Sequence, residues 1–333
     1  MWFDTTNLFK VFLKSIEMIN EVPKISVLII CYRQEELIKR AINSLLAQKD
    51  YIYEICVSDD CSPDKTWEVL QEYDSKYPGL FKLHRNEPNI GIFENIEYTW
   101  TMPTGDLIYQ LSGDDEVGSD WFKTVINYIQ YNNIDYKKEL FCIYGDYKCI
   151  YPNGDVYTFK NKKVASGKDV IRLSLRGLIG NRSCCYSIAI LKRFQKVSQG
   201  RSYIAEVIQD RQLQVFAETN YYIPQVGNTY YSNIGVSVGL DKSHFEERQG
   251  MMDYYLEFLQ KNNIIVPEVD KKYVKCFNAF YIFLHKKSAK TFVRYIVLYL
   301  KSGILQWGDG LISLRHLVFS ILRRLPHNRP LNW

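Results

Sequence analysis

Several patterns that assign proteins to large classes are missing from this chain. No stretch approaches the roughly 18 consecutive apolar residues of a membrane-spanning helix. The eight cysteines form no CxxC pair, and no histidine lies at the spacing of a zinc site. Neither GxGxxG nor GxxxxGK followed by Ser or Thr occurs. These absences argue against a membrane-spanning protein, a zinc module, a dinucleotide oxidoreductase and a P-loop kinase.

The amino terminus also lacks the features of a secretory signal. Charged residues interrupt its apolar pattern at Asp4, Lys10, Lys14 and Glu17, and no small-residue cleavage site follows. We therefore predict a short amphipathic helix over residues 1–22. Because scattered thiols without a signal peptide are typical of reducing compartments, we expect a cytoplasmic protein.

The net charge of +5 is distributed unevenly along the chain. Residues 271–333 contain 12 Lys and Arg against one acid, Asp309, whereas the preceding residues contain 30 Lys and Arg against 36 acids. An acidic body and a basic tail indicate two roles. The carboxylates of the body could hold a cation, and the tail could bind an anionic surface.

The tail contains one strongly amphipathic segment, Leu311–Leu325. Its aliphatic side chains share one helical face and are Leu311, Leu314, Leu317, Val318, Ile321, Leu322 and Leu325. This pattern predicts a helix lying peripherally on the anionic inner face of the cell membrane. A helix packed on the domain core is the alternative. No nucleic acid is expected as a partner, because the basic residues are spread among apolar runs.

The first half of the chain alternates between strand and helix patterns. Apolar runs typical of buried parallel strands occur at Ile25–Ile30, Tyr53–Val57, Phe81–His84 and Leu107–Leu111. Helical patterns lie between them at Glu35–Gln48, Thr66–Tyr77 and Asn95–Met102. This order predicts a doubly wound α/β domain with right-handed crossovers.

The second half has a different pattern. Alternating aromatic residues at Phe141–Ile150 and Asp155–Phe159 flank a turn and predict a hairpin. A strand is expected at Tyr221–Tyr231, and helices at Asp210–Glu218 and beyond residue 239. We therefore divide the chain into the helix at 1–22, an α/β domain at 23–238 and a helical, basic region at 239–333.

Two of the predicted strands end in paired acids, Asp59-Asp60 and Asp114-Asp115. Ligands of open α/β sheets bind at the carboxyl ends of the strands. Adjacent carboxylates repel one another unless a cation neutralises them, and hard oxygen ligands favour Mn²⁺ or Mg²⁺. A nucleoside diphosphate held through such an ion fits this charge balance. The alternative is a set of acids that only cap helices and turns, namely Asp59, Asp60, Asp64 and Asp106.

Four motifs occur in a fixed order along the first 130 residues. They are Pro23–Tyr32 with Ser44–Gln48, then Val57–Asp64, then Asn89-Ile90-Gly91 with Asn95, and finally Gly105–Ile108 with Asp114-Asp115. Together they resemble the family-2-like glycosyltransferases of GT-A fold, whose motifs include V-D-D-G-S-x-D, N-x-G and D-x-D-D. The resemblance implies a GT-A domain at 23–238.

The resemblance also implies roles for individual residues. Tyr32 would stack on the nucleotide base and Asp60 would accept a hydrogen bond from it. Asp114 would lie by the ribose or the metal, and Asp115 would hold the divalent ion against the diphosphate. The remaining members of the predicted nucleotide-sugar site are Glu35, Asp59 and Asn89.

The sequence departs from the family pattern at several of these positions. Arg33 stands where Asn is usual, and Ser112 replaces the first acid of D-x-D-D, which leaves metal binding to Asp114 and Asp115. Farther along, Tyr231 and Asn233 replace an Arg and a His of a segment that would close over the diphosphate.

The general base is predicted at Asp210. The family places an acid at the start of a helix beside the acceptor, and Glu206–Leu213 is similar to that segment. An acceptor hydroxyl is a poor nucleophile, and a carboxylate in reach of its proton typically contributes roughly 10² to 10⁴ in rate. Glu206 is the second candidate. A purely structural N-cap at Asp210 is the alternative.

The resemblance implies an inverting transfer of sugar from a UDP- or dTDP-sugar to a carbohydrate hydroxyl. By analogy, the acceptor would be a glycan or a lipid-linked glycan in surface-polysaccharide synthesis. Two alternatives stay open. Gly235–Gly239 matches the GxSxG pattern of serine hydrolases, but no HGGG-type segment precedes it. A catalytically decayed module that binds nucleotide sugars or docks on membranes would also explain Ser112 and the altered closing segment.

Overall fold

The four strands predicted from the apolar runs lie side by side in one sheet. The computed structural model describes residues 21–161, 163, 170, 182–193, 212–232, 255–286 and 288–302. The strands are β1 (Ile25–Cys31), β2 (Glu54–Asp59), β3 (Phe81–Arg85) and β4 (Leu107–Ser112). They are parallel and lie in the order β3-β2-β1-β4. The predicted α/β architecture is confirmed for this half of the domain.

Helices connect these strands, as the alternating pattern predicted. They are α1 (Leu37–Leu46), α2 (Thr66–Lys76) and α3 (Ile92–Thr99), and α4 (Trp121–Tyr131) follows the fourth strand. The third helix begins three residues before the predicted start. Gly91, with φ of 92°, adopts a conformation that favours glycine, and the helix starts directly after it.

The second half of the sheet is mixed rather than parallel. It contains β5 (Glu116–Val117), β6 (Phe141–Ile150), β7 (Val156–Phe159), β8 (Cys185–Ser187) and β9 (Thr219–Tyr231). Beyond β4 the order is β8-β6-β9-β5, and β8 is antiparallel to both of its neighbours. The predicted hairpin is confirmed as the antiparallel pair β6–β7, and the strand expected at Tyr221–Tyr231 begins two residues earlier.

Both faces of the sheet are covered, which explains the nearly continuous apolar run of β1. Ile25, Val27 and Ile29 belong to one buried cluster, which also contains residues of α1, α2 and α4. Leu28 belongs to a second cluster on the opposite face, together with Ile96 and Trp100. Successive residues of a strand point to opposite faces, so a strand covered on both sides needs apolar residues at every position.

The carboxyl-terminal part of the described chain is helical, as predicted. It contains α5 (Glu268–Lys286) and α6 (Ala289–Ser302), and residues 212–216 and 255–261 are also helical. None of the described helices is both long and apolar enough to cross a membrane. The predicted amphipathic helices at 1–22 and 311–325 lie outside the described residues, apart from residues 21 and 22.

Two glycines allow β6 and β9 to approach the fully buried indole of Trp121. A methyl group added at Gly145 would lie 2.6 Å from this ring, and one added at Gly227 would lie equally close at 2.6 Å. The carbonyl of Gly227 also accepts a 2.8 Å hydrogen bond from the Tyr109 hydroxyl. This contact fixes the position of β9 against the parallel half of the sheet.

We expect Gly227→Ala to destabilise the domain by about 1–3 kcal/mol, because the added methyl overpacks the Trp121 site. Urea unfolding of the purified variant measures this change. In a double variant with Trp121→Phe, the smaller ring should relieve part of the strain, so the combined loss should be smaller than the sum of the two single losses. Strict additivity would contradict a direct contact.

Candidate active site at the carboxyl edge of the sheet

The predicted site residues that follow three separate strands meet at one edge of the sheet. Tyr32 follows β1, Asp59 and Asp60 lie at the end of β2, and Asp114 and Asp115 follow β4. Strand β1 lies between β2 and β4, so the order of the strands reverses there. The carboxyl edge at such a reversal is the usual ligand site of open α/β sheets.

Asp59 is completely buried and shapes the turn that follows β2. Its carboxylate accepts a 3.0 Å hydrogen bond from the Ser62 amide and a second bond from the Ser62 hydroxyl. It also forms an ion pair with Arg85 at 3.5 Å. The turn-capping alternative therefore describes Asp59 well, and its predicted contact with a nucleotide stays a prediction.

Two further acids named in the capping alternative also bind backbone amides. Asp64 accepts a 3.1 Å hydrogen bond from the Thr66 amide at the start of α2. Asp106 accepts one of 2.9 Å from the Lys24 amide, at the amino edge of the sheet. Both acids have structural partners, as capping residues should.

Asp60 is buried to 3% exposure and connects β2 to the loop before α3. Its oxygens accept hydrogen bonds of 2.9 Å each from the amides of Ile90 and Gly91 and from the side chain of Asn86. The Asn89 side chain donates to the Asp60 carbonyl at 2.6 Å. Two predicted site residues, Asp60 and Asn89, are thus joined directly, and Asp60 holds the loop that carries Asn89.

Tyr32 and Glu35 lie in the loop between β1 and α1. Tyr32 is 40% exposed at the edge of the sheet, so its ring is accessible to a planar ligand. Glu35 instead accepts a 2.9 Å hydrogen bond from the Lys65 amide, and its own amide donates to Asp64 at 3.4 Å. Of these two predicted residues, Tyr32 has the exposed side chain and Glu35 ties two loops together.

Two non-glycine residues of this edge have left-handed backbones. Arg33 has φ of 56° and Cys61 has φ of 57°. For most residues other than glycine, this backbone conformation costs about 1–2 kcal/mol. The Arg33 amide donates a 3.0 Å hydrogen bond to the Ser62 hydroxyl, which joins the two strained loops. These positions carry Asn and Gly in the family pattern, the two residue types that adopt this conformation most readily.

Asp114 lies against the start of α1. A methyl group added at the preceding Gly113 would meet the end of the Gln34 side chain and lie 3.2 Å from the Ile30 carbonyl oxygen, so a larger residue there would require Gln34 to move. The Arg40 guanidinium donates a hydrogen bond to the Asp114 carbonyl. Burial raises the pKa of the Asp114 carboxyl, and its own amide, Arg182 and Arg40 partly offset that rise.

Asp115 is buried to 2% exposure and is paired with an arginine from a distant segment. One of its oxygens lies 3.1 Å from Arg182 Nη1, and the other accepts a 3.2 Å hydrogen bond from the Tyr231 amide. The Arg182 guanidinium carbon lies 3.6 Å from the centre of the Tyr230 ring, and that of Arg40 lies 3.5 Å from the Tyr231 ring. The acid pair is therefore accompanied by two stacked guanidinium groups.

Neither arginine was predicted from the sequence. Arg40 lies on a helix whose pattern indicated only amphipathic packing. Arg182 lies 67 residues from Asp115 and belongs to none of the four motifs. Buried acids need compensating charge, and only this requirement could have prompted a search for the two arginines.

The residues at this edge do not form a preformed site for a divalent ion. Within the described part of the chain, no three His, Cys, Asp or Glu side chains are grouped so that they could hold a metal. Ser112 offers no carboxylate, and both oxygens of Asp115 already accept from Arg182 and Tyr231.

The predicted general base, Asp210, lies outside the described residues, as do Glu206, Asn233 and the GxSxG segment at 235–239. The chain is helical at 212–216, two residues beyond Asp210. Leu213 is buried there in the same cluster as Ile96 and Tyr186. Residues 212–216 thus form part of the helix that was expected at Asp210–Glu218.

Residues 26–153 match the sequence model of glycosyl transferase family 2. The putative glycosyltransferase EpsE of Bacillus subtilis (strain 168) is 31% identical over 96 residues, which are 29% of this chain and 34% of that protein. The processive diacylglycerol beta-glycosyltransferase of Mycoplasma pneumoniae is 28% identical over 113 residues, 33% of each chain. The chain thus spans about a third of the length of these curated relatives.

The fold is similar to that of a solved structure over most of the chain. S. aureus TarS 1-349 in complex with UDP-GlcNAc superposes with a TM-score of 0.55 and 17% identity, covering 84% of this chain and 81% of that one. At this identity the similarity concerns the fold, which is of GT-A type. The family match covers the motif residues that lie at the carboxyl edge of the sheet. Over residues 26–153, the chain is therefore similar to glycosyl transferase family 2.

Proposed function

We propose that this protein transfers a sugar from a nucleoside diphosphate sugar to a hydroxyl group of a carbohydrate acceptor. One observation carries the proposal: the family motifs bring Tyr32, Asp60 and Asp114 together at the reversal point of the sheet. TarS, which shares the fold, has been solved with UDP-GlcNAc and with UDP. A UDP-sugar is therefore the first donor to test, with a dTDP-sugar as the second.

The nucleotide end of the donor would lie along β1 and β2. Tyr32 has an exposed ring that can stack on a base. Asp60 already accepts three hydrogen bonds, so about one of the four lone-pair positions of a carboxylate remains for a base N–H. Its larger contribution is to hold the loop that presents Asn89. Glu35 and Asp59 fix the surrounding turns and act as positioning residues.

The diphosphate end would lie beside β4, where Asp114 and Asp115 are located. Asp114 is the acid that would lie by the ribose or the metal. A Mn²⁺ or Mg²⁺ ion stays a prediction, because the described residues provide no preformed site for it. No step proposed here depends on that ion.

The acceptor hydroxyl would be deprotonated by Asp210. A single base and a single displacement invert the configuration at the anomeric carbon, so we propose an inverting transfer. The helical residues 212–216 support this proposal, because Leu213, three residues beyond Asp210, is packed in the core.

A lipid-linked glycan is the acceptor class that the rest of the molecule favours. One relative is described as a diacylglycerol glycosyltransferase. Helix α6 exposes the apolar side chains of Phe292, Val293, Val297 and Leu300. The same helix carries Lys290, Arg294 and Lys301 and no acid. An exposed apolar stripe beside basic residues suits a peripheral position on an anionic membrane, such as the inner face of the cell membrane.

A catalytically decayed module that only binds nucleotide sugars is the second candidate. The observation in its favour is Ser112, which removes one carboxylate from the acid cluster. Turnover of UDP-GlcNAc and other nucleotide sugars, measured with Mn²⁺ and with EDTA, separates the two candidates. Binding without turnover of any donor under either condition would favour the decayed module.

Asp114→Asn should lower sugar transfer at least about tenfold, equivalent to about 1.4 kcal/mol of transition-state stabilisation, because the charged acceptor for a ribose hydroxyl is lost. Release of the nucleoside diphosphate measures this rate. Asp106→Asn is the matched control, since Asp106 lies at the amino edge of the same strand, where its carboxylate accepts a hydrogen bond from the Lys24 amide. Equal losses in the two variants would argue against a role for Asp114 in the site.

Asp210→Asn should lower kcat by roughly 10² to 10⁴ and leave UDP affinity unchanged, because a general base acts on the acceptor and not on the donor. Stopped-time assays give kcat, and calorimetric titration gives the UDP affinity. A variant that loses UDP affinity to the same extent would assign Asp210 to the donor site instead.

Replacing Val297 and Leu300 with Glu should reduce sedimentation of the protein with phosphatidylglycerol-containing vesicles, because acidic groups on α6 would face an anionic surface. Val156→Glu is the control, since Val156 is an exposed apolar residue on β7, away from this helix. Unchanged sedimentation of the α6 variant would show that membrane binding, if measured for the wild type, uses another part of the chain.

A further inference from the structure

The most unusual group at the carboxyl edge is the Arg182 guanidinium. It lies just before β8 and reaches across to the acid pair that follows β4, where Nη1 is 3.1 Å from an Asp115 oxygen. On its other side it stacks on the Tyr230 ring at 3.6 Å. Although it is held on two sides, 31% of its side-chain surface remains exposed. An anion arriving at this edge can therefore reach it.

The charges around Arg182 suit a diphosphate. The Arg40 guanidinium donates to the Asp114 carbonyl and Arg182 pairs with the Asp115 carboxylate, so both guanidinium groups lie beside the acid pair. Two arginines therefore offset the two carboxylates of Asp114 and Asp115. A dianionic ligand that arrives beside this pair meets acids whose charges are balanced, even before any metal ion is considered.

The chemistry of arginine fits the same role. A guanidinium is always protonated and presents a planar set of N–H donors that matches two phosphate oxygens. Stacking on Tyr230 and pairing with Asp115 restrict its rotation, so less conformational entropy is lost when an anion binds. Asp115, with 2% exposure, is better placed to orient Arg182 than to contact a ligand itself.

We propose that Arg182 binds the diphosphate of the donor, that Asp115 and Tyr230 position it, and that the donor binds without a divalent ion. This inference rests on the proposed function and deepens it. In the transfer step the bond between the anomeric carbon and the diphosphate oxygen breaks, and the electron pair leaves with the diphosphate. Arg182 would stabilise the charge that develops on that leaving group. The acceptor proton goes to the general base.

Calorimetric titration of uridine, UMP and UDP, each in EDTA, tests this assignment. Wild-type protein should bind UDP more tightly than uridine, and adding Mn²⁺ should change the UDP affinity little. Arg182→Gln should weaken UDP binding at least about tenfold and leave uridine binding unchanged, because only the phosphates lose a charged partner. Arg182→Lys should be intermediate, since it retains the charge but not the planar donors.

Arg193→Gln is the matched control. Arg193 is an exposed arginine whose recorded ion pair, at 3.2 Å, is with Glu218, so its loss should leave all three affinities unchanged. Because Arg182→Gln leaves the buried Asp115 without its cation, melting temperatures must be compared as well. If the single variant does not fold, the Arg182→Gln, Asp115→Asn double variant removes both charges and should show the same selective loss of UDP affinity.

Two results would overturn the inference while leaving the proposed function intact. One is UDP binding that disappears in EDTA and returns with Mn²⁺. The other is a folded Arg182→Gln variant with wild-type UDP affinity. Failure of the wild-type protein to bind uridine, UMP, UDP or their thymidine counterparts would reject the proposed function itself, and the role of Arg182 with it.

Discussion

The buried carboxylate of Asp60 is the interaction on which the candidate site depends. It joins the end of β2 to the loop before α3 through the amides of Ile90 and Gly91 and the side chain of Asn86. A carboxylate buried to this extent is stable only when donors surround it. The requirement is mutual, because these hydrogen bonds hold the loop against β2, together with those from the Asn86 amide to the Asp59 carbonyl and from the Asn89 side chain to the Asp60 carbonyl. The hydrogen bonds that compensate the buried charge of Asp60 thus also make this edge of the sheet rigid.

A second buried carboxylate, on the other side of this edge, also needs compensating partners. Asp115 is as deeply buried as Asp60, but its compensation comes from Arg182 and the Tyr231 amide, which belong to distant parts of the chain. One acid is neutralised by amide dipoles and the other by a full positive charge. Asp60 therefore holds a loop in place, whereas Asp115 holds the Arg182 guanidinium in place. Both kinds of support are needed if a flexible donor molecule is to be bound in one orientation.

Most of the parallel half of the fold could be predicted from the sequence, because strands buried on both faces leave continuous apolar runs. The positions of β1, β2, β3 and β4 agree with those runs within a few residues. The antiparallel insertion of β8 could not be predicted, since a strand of three residues, Cys185–Ser187, carries no periodic signal. The motifs also placed the acids at the edge but did not distinguish Asp59, which shapes a turn, from Asp115, which pairs with an arginine. Arg182 was missed for a different reason: a pairing between distant segments is decided by the fold and leaves no local pattern.

The glycine contacts with Trp121 have a consequence for the chemistry at the edge. Gly227 lies only three residues before Tyr230 on the same strand, a distance of about 10 Å along β9. Tyr230 and Tyr231 are the surfaces on which the two arginines stack. Any change that moves the strand away from the indole would therefore shift both aromatic platforms at once. The steric fit of the core around Trp121 thus sets the positions of the charged groups at the proposed anion site. Packing substitutions far from the edge would therefore change how the edge binds its ligand.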